Sequence, residues 1–284
     1  MLGNLYITAS PIGNLEEVSP RVLRVFSEVD CIAAEDTRNT ALLLNRLGIS
    51  AKLTSYHKFN ETAKLEVILD RLRSGQNIAL VSDAGTPCIS DPGHILVKAA
   101  AAENIPIIGL SGSCALTIAL SVSGFPAEPF LFIGFLPRKA SAIIEALSLQ
   151  VECATLVFYE SPKRICATVE LLAKQFPESE LCLCNDLTKK FERIYRGSPQ
   201  KVLEELLANP HAEKGEYTCV SYRPLFAQDS VEGKLPSLES QLIDIMVNSS
   251  CSIKEAINVL SAKLKNTAKK EIYAASLRLK ELLK

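Results

Sequence analysis

The sequence predicts an α/β fold in which helices cover both faces of a mainly parallel sheet. Between Leu5 and Ser123, short β-rich runs alternate with longer segments of helical period. Gly48 and Gly75 are placed to end two of the helical segments. Alternation at this spacing is typical of parallel β–α–β units. Because the carboxyl ends of parallel strands meet at one edge of a sheet, we expect ligand binding at that edge.

Strand and helix alternate in order through the first part of the chain, residues 1–124, which we predict as an N-terminal domain. Ser19 before Pro20 is a typical helix start, with serine as N-cap and proline at the first helical position. We expect Asp91 and Pro92 to start the fourth helix in the same way. Strands are predicted at 5–9, 31–34, 53–56, 77–82 and 105–110, and helices at 20–28, 37–48, 61–73, 92–103 and 113–122.

A second α/β domain is predicted at 125–227. Two prolines and a glycine at 124–129 interrupt the helical pattern and mark the boundary. The strands that follow are less regularly ordered, which favours a mixed sheet. They are predicted at 130–135, 154–159, 181–184 and 217–222, with helices at 141–149, 162–175 and 199–208.

The last segment, 236–284, is predicted as a small helical domain after a polar linker at 228–236. Apolar residues recur at helical spacing in 238–248, 253–264 and 270–283. Residues 250–284 carry eight Lys or Arg and three Glu, a charge of +5 in a chain of net charge −1. This basic end is suited to a polyanion, or it is the solvated face of a helical bundle.

Composition narrows the class of protein. The 284 residues are 48% hydrophobic, enough for two cores of ordinary size. No apolar stretch reaches the roughly 18 residues that a membrane span needs, so we expect a cytoplasmic protein without membrane contact. The nine cysteines are odd in number and irregularly spaced, which indicates reduced core residues, including Cys182 and Cys184. With three histidines and no C-x-x-C, no metal site is predicted.

Turns at three predicted strand ends indicate one shared crevice: 11–14, 83–87 and 111–113. Neither G-x-G-x-x-G nor a P-loop sequence is present, which disfavours a dinucleotide oxidoreductase or P-loop enzyme. Gly13, Gly85 and Gly112 allow close approach of the backbone to a ligand, and Asp83 adds an acidic group. These features suit a ligand with polar edges.

A series of motifs between Leu5 and Val220 resembles the small-subunit ribosomal RNA cytidine ribose 2′-O-methyltransferases, which belong to the tetrapyrrole methylase superfamily. The motifs occur in the family's order, and the last fifty residues resemble its helical tail more loosely. They are Pro11-Ile12-Gly13-Asn14-Leu15, Ala34-Glu35-Asp36-Thr37-Arg38, Ser82-Asp83-Ala84-Gly85-Thr86-Pro87 with Ile89-Ser90-Asp91-Pro92-Gly93, Gly134-Phe135-Leu136-Pro137, Phe158-Tyr159-Glu160-Ser161-Pro162, Leu187-Thr188-Lys189 and Lys214-Gly215-Glu216.

The resemblance implies two α/β domains of the tetrapyrrole methylase type, with S-adenosylmethionine in the cleft between them. It also implies a homodimer that receives small-subunit ribosomal RNA or the assembled subunit. Asn14 and Arg38 would bind the substrate. The cofactor would contact Ile12, Gly13, Asp83, Gly85, Thr86, Gly112, Ser113, Cys114, Ala115, Tyr159, Leu187 and Gly215.

Methyl transfer from a sulfonium is an in-line displacement that positioning can accelerate strongly. A ribose hydroxyl is a poor nucleophile, so a base would help. Candidates in the matched motifs are Asp36, Glu160 and, if burial lowers its pKa, Lys189. Structural alternatives remain open: Asp36 could cap a helix and pair with Arg38, and Glu160 could be an exposed cap of the helix starting at 162.

Three segments depart from the family pattern. Ser111-Gly112-Ser113 replaces Pro-Gly-Pro, Asn185-Asp186 replaces Arg-Glu, and Asn39 stands where histidine is frequent. The leading hypothesis is 2′-O-methylation of a cytidine ribose in 16S ribosomal RNA near the decoding centre. The alternatives are methylation of a tetrapyrrole or other small molecule, and a catalytically silent ribosome-binding module.

Overall fold

A computed structural model describes residues 1–148, 155–223, 237–249, 251–263 and 269–282. The chain forms two compact units, Met1–Leu225 and Phe226–Lys284. The first unit contains two five-stranded sheets, and the second contains helices. None of the described helices has the length and apolar character that a bilayer crossing requires.

The first sheet is entirely parallel, with the strand order β3-β2-β4-β1-β5. This arrangement confirms the predicted fold class. In the pairing of β1 with its two neighbouring strands, Leu5 lies opposite Ile78 on one side and Ile107 on the other. The strands are β1 (Leu5–Thr8), β2 (Cys31–Ala34), β3 (Leu53–Ser55), β4 (Ile78–Val81) and β5 (Ile107–Gly109).

Both faces of this sheet are buried, because successive residues of β4 enter different cores. Ile78 and Leu80 pack with α3 and α4 residues, whereas Ala79 and Val81 pack with α1 and α2 residues. A strand covered on both sides reads as a continuous apolar run, as β4 does. The helices are α1 (Pro20–Glu28), α2 (Thr37–Arg46), α3 (Glu61–Arg73), α4 (His94–Ala102) and α5 (Ala115–Ser123).

The predicted start of α1 is confirmed, but that of α4 is wrong. Ser19 caps α1 by accepting a hydrogen bond from the Val22 backbone N–H at 3.2 Å. Helix α4 begins at His94, and its N-cap is Gly93 with φ 136°. Asp91 and Pro92 therefore precede the helix. Glycine is required at position 93, because φ is positive there and a Cβ would lie 2.7 Å from the Cys88 Sγ atom.

The second sheet is mixed, as predicted, with the order β6-β7-β10-β8-β9. Only the β6–β7 pair is parallel. Strand β9 was not predicted, and the predicted residue 154 of β7 lies outside the described residues. The strands are β6 (Phe130–Phe135), β7 (Thr155–Glu160), β8 (Glu180–Asn185), β9 (Arg193–Gly197) and β10 (Tyr217–Tyr222), and the helices are α6 (Ala140–Ser148), α7 (Ile165–Gln175) and α8 (Pro199–Leu207).

Helix α5, which follows the last strand of the first sheet, packs on the second sheet. Leu116 and Ala119 of this helix share a core with Val157, Cys182 and Cys184. Both cysteines are buried free thiols, as the sequence predicts. The two sheets are thus joined within one compact unit, and the predicted domain division after residue 124 stays a prediction.

The second unit contains the three helices expected from the sequence, α9 (Leu238–Ser249), α10 (Ile253–Lys263) and α11 (Lys269–Leu282). Leu242, Leu260 and Ile272 form part of its buried core. Ser252 and Glu255 form a capping box at the start of α10. The predicted linker at 228–236 lies outside the described residues, as do 250, 264–268 and 283–284 of the basic segment. The binding of RNA by this segment stays a prediction.

Candidate functional site

A cavity of about 380 Å³ lies at the carboxyl ends of the first sheet's strands and is also lined by residues of the second sheet. This volume falls in the lower range of small-molecule sites. The lining residues are Ile12, Glu35, Asp83, Ala84, Gly85, Thr86, Ile89, Ser90, Asp91, Cys114, Ala115, Phe135, Tyr159, Glu160, Ser161, Pro162, Leu187, Glu216, Tyr217 and Thr218.

The three predicted strand-end turns meet at this cavity. Ser10 and Gly85 exchange two backbone hydrogen bonds of 3.0 Å, which join the turns after β1 and β4. The Thr86 hydroxyl donates to the Ser113 carbonyl at 3.0 Å, which joins the turn after β5. Gly85 has φ +80°, a conformation that favours glycine. The shared crevice expected from the sequence is therefore present.

The other predicted cofactor glycines lie outside the cavity lining and are explained by close packing against other parts of the protein. A Cβ at Gly112 would lie 2.6 Å from the Ala9 Cβ atom. A Cβ at Gly13 would overlap the Lys189 side chain, and one at Gly215 would overlap the Asp186 carboxylate. These glycines permit close approach of protein to protein.

Of the predicted cofactor-binding residues, the structure brings one group to the cavity and leaves another outside its lining. Ser113, in the second group, donates from its hydroxyl to Glu17 at 3.0 Å. The lining group is Ile12, Asp83, Gly85, Thr86, Cys114, Ala115, Tyr159 and Leu187, and the other is Gly13, Gly112, Ser113 and Gly215.

Phe135 and Tyr159 are aromatic residues in the part of the lining that the second sheet contributes. The ring of Phe135 meets that of Tyr159 edge-on, with 5.4 Å between the ring centroids, and the ring of Phe132 meets Tyr159 edge-on at 5.0 Å. Burial, with a smaller effect from Cys114, raises the pKa of Tyr159 to about 12. The phenol therefore stays neutral at physiological pH, and the rings of Phe135 and Tyr159 offer mainly apolar contact.

Glu160, a predicted candidate base, is buried and has its oxygens engaged. Its carboxylate accepts from the Ser161 backbone N–H at 2.7 Å and from the Thr168 hydroxyl at 2.8 Å. Arg164 lies 3.1 Å away and also donates to the carbonyl of Pro137 at 2.6 Å. The alternative of an exposed helix cap is wrong, because α7 begins at Ile165 and the Glu160 side chain is 1% exposed.

Asp36, the second candidate base, lies outside the cavity lining and caps α2. It accepts from the Arg38 backbone N–H at 2.9 Å, and its other oxygen is 2.6 Å from the Arg38 guanidinium. The hydrogen bonds from Arg38 lower the pKa of Asp36 to about 2. The structural alternative given in the sequence analysis, in which Asp36 caps a helix and pairs with Arg38, is therefore correct for this pair. Arg38, a predicted substrate contact, has an 88% exposed side chain.

Lys189, the third candidate base, does not have the lowered pKa that a proton acceptor would need. Burial alone lowers its pKa, but hydrogen bonds to Asp186 and Glu216 outweigh that effect and the pKa is raised. The ammonium lies 2.7 Å from Asp186 and 2.8 Å from Glu216. Lys189 is thus held in its charged form and cannot accept a proton. Asn14, the second predicted substrate contact, caps a short 3-10 helix by accepting from the Glu16 N–H at 3.0 Å.

Glu35 and Asp91 line the cavity, and neither was singled out as a site residue from the sequence. Burial and the charge of Asp91 raise the pKa of Glu35, although the Asp83 N–H opposes this shift. Burial also raises the pKa of Asp91. Both residues occur in the matched motifs, and Glu35 directly follows β2, so position at a strand end was the available signal.

The charges on the lining are all acidic. Asp83 accepts from the Asp36 N–H at 3.1 Å and from the Asn39 side chain at 2.9 Å, so both residues orient the Asp83 carboxylate. The lining contains five carboxylates and no Lys, Arg or His. Such a cavity favours a ligand that carries positive charge and apolar surface.

Known proteins resemble the chain over most of its length. Residues 4–203 match the tetrapyrrole (corrin/porphyrin) methylases. Ribosomal RNA small subunit methyltransferase I of Escherichia coli O157:H7 is 43% identical over 220 residues, 77% of each chain. The protein of that name in Pseudomonas aeruginosa is 37% identical over 279 residues, 97% of each chain.

A solved structure shows the same fold at low identity. It is uroporphyrin-III C-methyltransferase from Thermus thermophilus, complexed with S-adenosyl homocysteine. The TM-score is 0.53 and the identity 15%, covering 78% of this chain and 98% of that one.

Proposed function

We propose that this chain, which belongs to the tetrapyrrole methylases and among them to the ribosomal RNA small subunit methyltransferase I family, methylates a ribose of small-subunit ribosomal RNA. The methyl donor is S-adenosylmethionine. The acceptor that we propose is the 2′-hydroxyl of a cytidine near the decoding centre in 16S RNA. The observation that carries the proposal is the acidic, partly aromatic cavity at the carboxyl edge of the first sheet.

The residues present fit this donor. S-adenosylmethionine has a sulfonium, an amino acid end and a flat adenine, and it supplies an electrophilic methyl group when bound. The exposed Asp83 carboxylate in the lining matches its positive charge, and Phe135 and Tyr159 offer apolar surface for a flat ring. The turn at Gly85 brings backbone to the cavity with no side chain in between.

The chain's own residues contribute binding and orientation. Asp83 is fixed by hydrogen bonds from Asp36 and Asn39, so its carboxylate is held in one place at the cavity. Arg164 secures the Leu136 and Pro137 carbonyls and thereby fixes the loop after Phe135. Residues whose positions are fixed before the ligands bind accelerate a displacement reaction, because they hold the reacting atoms in line.

The charge of the cavity bears on the two alternative functions. A tetrapyrrole substrate rich in carboxylates would meet five lining carboxylates without a basic partner among the lining residues. A ribose is uncharged, and its flanking phosphates can stay outside the cavity. A catalytically silent module would not need to keep this cavity open, and larger side chains could occupy it. The open cavity therefore also disfavours that alternative.

Mass spectrometry of 16S ribosomal RNA from cells with and without the gene tests the acceptor. We expect one cytidine ribose methyl to disappear on deletion and to return when the gene is supplied on a plasmid. Purified protein with small subunits from the deletion strain and labelled S-adenosylmethionine should restore the same methyl group. Unchanged ribose methylation in the deletion strain would contradict the proposal.

The assembly and location are part of the same proposal. We infer a homodimer that works on the ribosomal subunit in the cytoplasm, with domains at 1–124, 125–227 and 236–284. Sedimentation analysis of the purified protein tests the dimer, for which a mass near twice 30.9 kDa is expected. A monomer at micromolar concentration would contradict this part alone.

A further inference from the structure

We propose that Glu35 accepts the proton of the ribose hydroxyl during methyl transfer. This inference rests on the proposed function, because it names the base for that reaction. It replaces the three candidates from the sequence, whose side chains are either engaged in hydrogen bonds or held as an ammonium.

Among the five lining carboxylates, Glu35 and Asp91 are the two that no ion pair or short hydrogen bond engages within the described part of the chain. Asp83 accepts from two donors, and Glu160 is held by three. Glu216 pairs with Lys189. Asp91 accepts no hydrogen bond from the residues that the structure describes, although Ser82 lowers its pKa. Of the two remaining carboxylates, Glu35 directly follows β2 at the carboxyl edge of the first sheet.

Glu35 accepts a single long hydrogen bond. The Asp83 backbone N–H donates to its Oε2 atom at 3.4 Å. Among the residues that the structure describes, no donor reaches Oε1. Glu35 lines the cavity, so its unengaged oxygen can meet a ligand there.

The surroundings of Glu35 increase its basicity. Asp91 lies on the loop before α4, Asp83 follows β4, and His57 follows β3. Burial, Asp91 and the Asp83 charge raise the pKa of Glu35, while the Asp83 N–H and His57 lower it, and the net shift is upward. A carboxylate whose pKa is shifted toward the working pH is a better proton acceptor than an ordinary one.

The proton transfer balances the charges of the reaction. The Glu35 Oε1 atom takes the hydroxyl proton as the ribose oxygen forms its bond to the methyl carbon. The S–CH₃ bond breaks, and its electron pair stays on sulfur as a thioether. One positive sulfonium and one negative carboxylate are thereby converted into two neutral groups in a half-buried cavity.

The first experiment measures single-turnover methylation of small subunits by Glu35→Gln against pH. We expect the rate constant to fall by about 100-fold or more, the usual range for loss of a general base. Binding of S-adenosylmethionine, measured by calorimetry, should change by less than about threefold, because the loss is confined to the chemical step. Glu28→Gln, an exposed carboxylate at the end of α1, is the matched control and should behave as wild type.

Asp91→Asn is the reciprocal variant. Removal of a neighbouring negative charge lowers the pKa of Glu35, so the acidic limb of the pH–rate profile should move to lower pH and remain visible. In Glu35→Gln that limb should disappear. If Asp91 were the base, Asp91→Asn would abolish the limb and Glu35→Gln would only shift it.

A measurement without RNA provides an independent test. Carbon-13 NMR of side-chain carboxyls should show one glutamate that titrates above the ordinary value of 4.5. This signal should be absent in Glu35→Gln and should titrate lower in Asp91→Asn. Wild-type rate and pH profile in Glu35→Gln would overturn the role of Glu35 alone. A wild-type protein that methylates no ribose would overturn the proposed function itself.

Discussion

Glu35 of the first sheet and Glu160 of the second are the same residue type at the same kind of position, yet their environments are opposite. Each lies at the end of a strand and lines the same cavity. Helix α7 follows β7 and contains Thr168, whose hydroxyl donates a hydrogen bond to the buried Glu160 carboxylate. In the first sheet, the donors at the start of α2 go to Asp36 and leave Glu35 with one long hydrogen bond. The elements packed behind a carboxylate thus decide whether it supports the wall or faces the ligand.

Glu160→Ala is the most severe test of this contrast. Removal of Glu160 takes the carboxylate away from Arg164 and leaves the buried Thr168 hydroxyl without this acceptor, so we expect a loss of about 3 kcal/mol in the free energy of unfolding. Glu35→Ala should change stability by less than about 1 kcal/mol, since few contacts are lost. Urea unfolding measures both. Similar midpoints for the two variants would contradict the distinction between them.

Asp83→Ala should weaken cofactor binding with little loss of stability. Asp83 is exposed, and its carboxylate is oriented at the cavity by two donors. We expect the dissociation constant for S-adenosylmethionine to rise about tenfold, or roughly 1.4 kcal/mol. Asp70→Ala, on the outer face of α3, is the calorimetric control. Equal affinity in Asp83→Ala would remove this residue from the site.

Asp36→Asn has the smallest expected effect and concerns the neighbour of Glu35. The folded pKa of Asp36 is lowered from 3.8 to about 2, so its ionised form stabilises the fold. This contribution is complete above the unfolded value and is lost as the pH falls through that interval. Unfolding midpoints of wild type and variant should therefore converge on acidification. A pH-independent difference would show that capping by Asp36 does not depend on its charge.

Much of the fold could be predicted from local pattern. Helix α3, at Glu61–Arg73, has the predicted bounds, and α1 starts at its predicted cap. Strand β9, at Arg193–Gly197, was missed because two arginines and a glycine give it little apolar pattern. It forms because it pairs with β8, and the local sequence pattern does not reveal this pairing.

The site was predictable only in part. Residues at strand ends, such as Asp83 and Gly85, follow from the position of the strands. The hydrogen-bond state of a carboxylate does not, because it depends on helices that return to the site, as Thr168 returns to Glu160. The start of α4 was misassigned for a similar reason: Gly93 adopts a positive φ that the capping pattern of Asp91-Pro92 does not reveal.

Helix α5 also makes the two halves of the molecule complementary fragments. A polypeptide ending after Gly124 would carry Leu116 and Ala119 uncovered, and the remainder would expose the face of the second sheet around Val157. Such fragments, produced separately, would carry complementary apolar surfaces, and their association would rebuild the crevice. The chain could therefore be divided directly after helix α5 to make a split reporter, whose signal depends on reassembly of the two fragments.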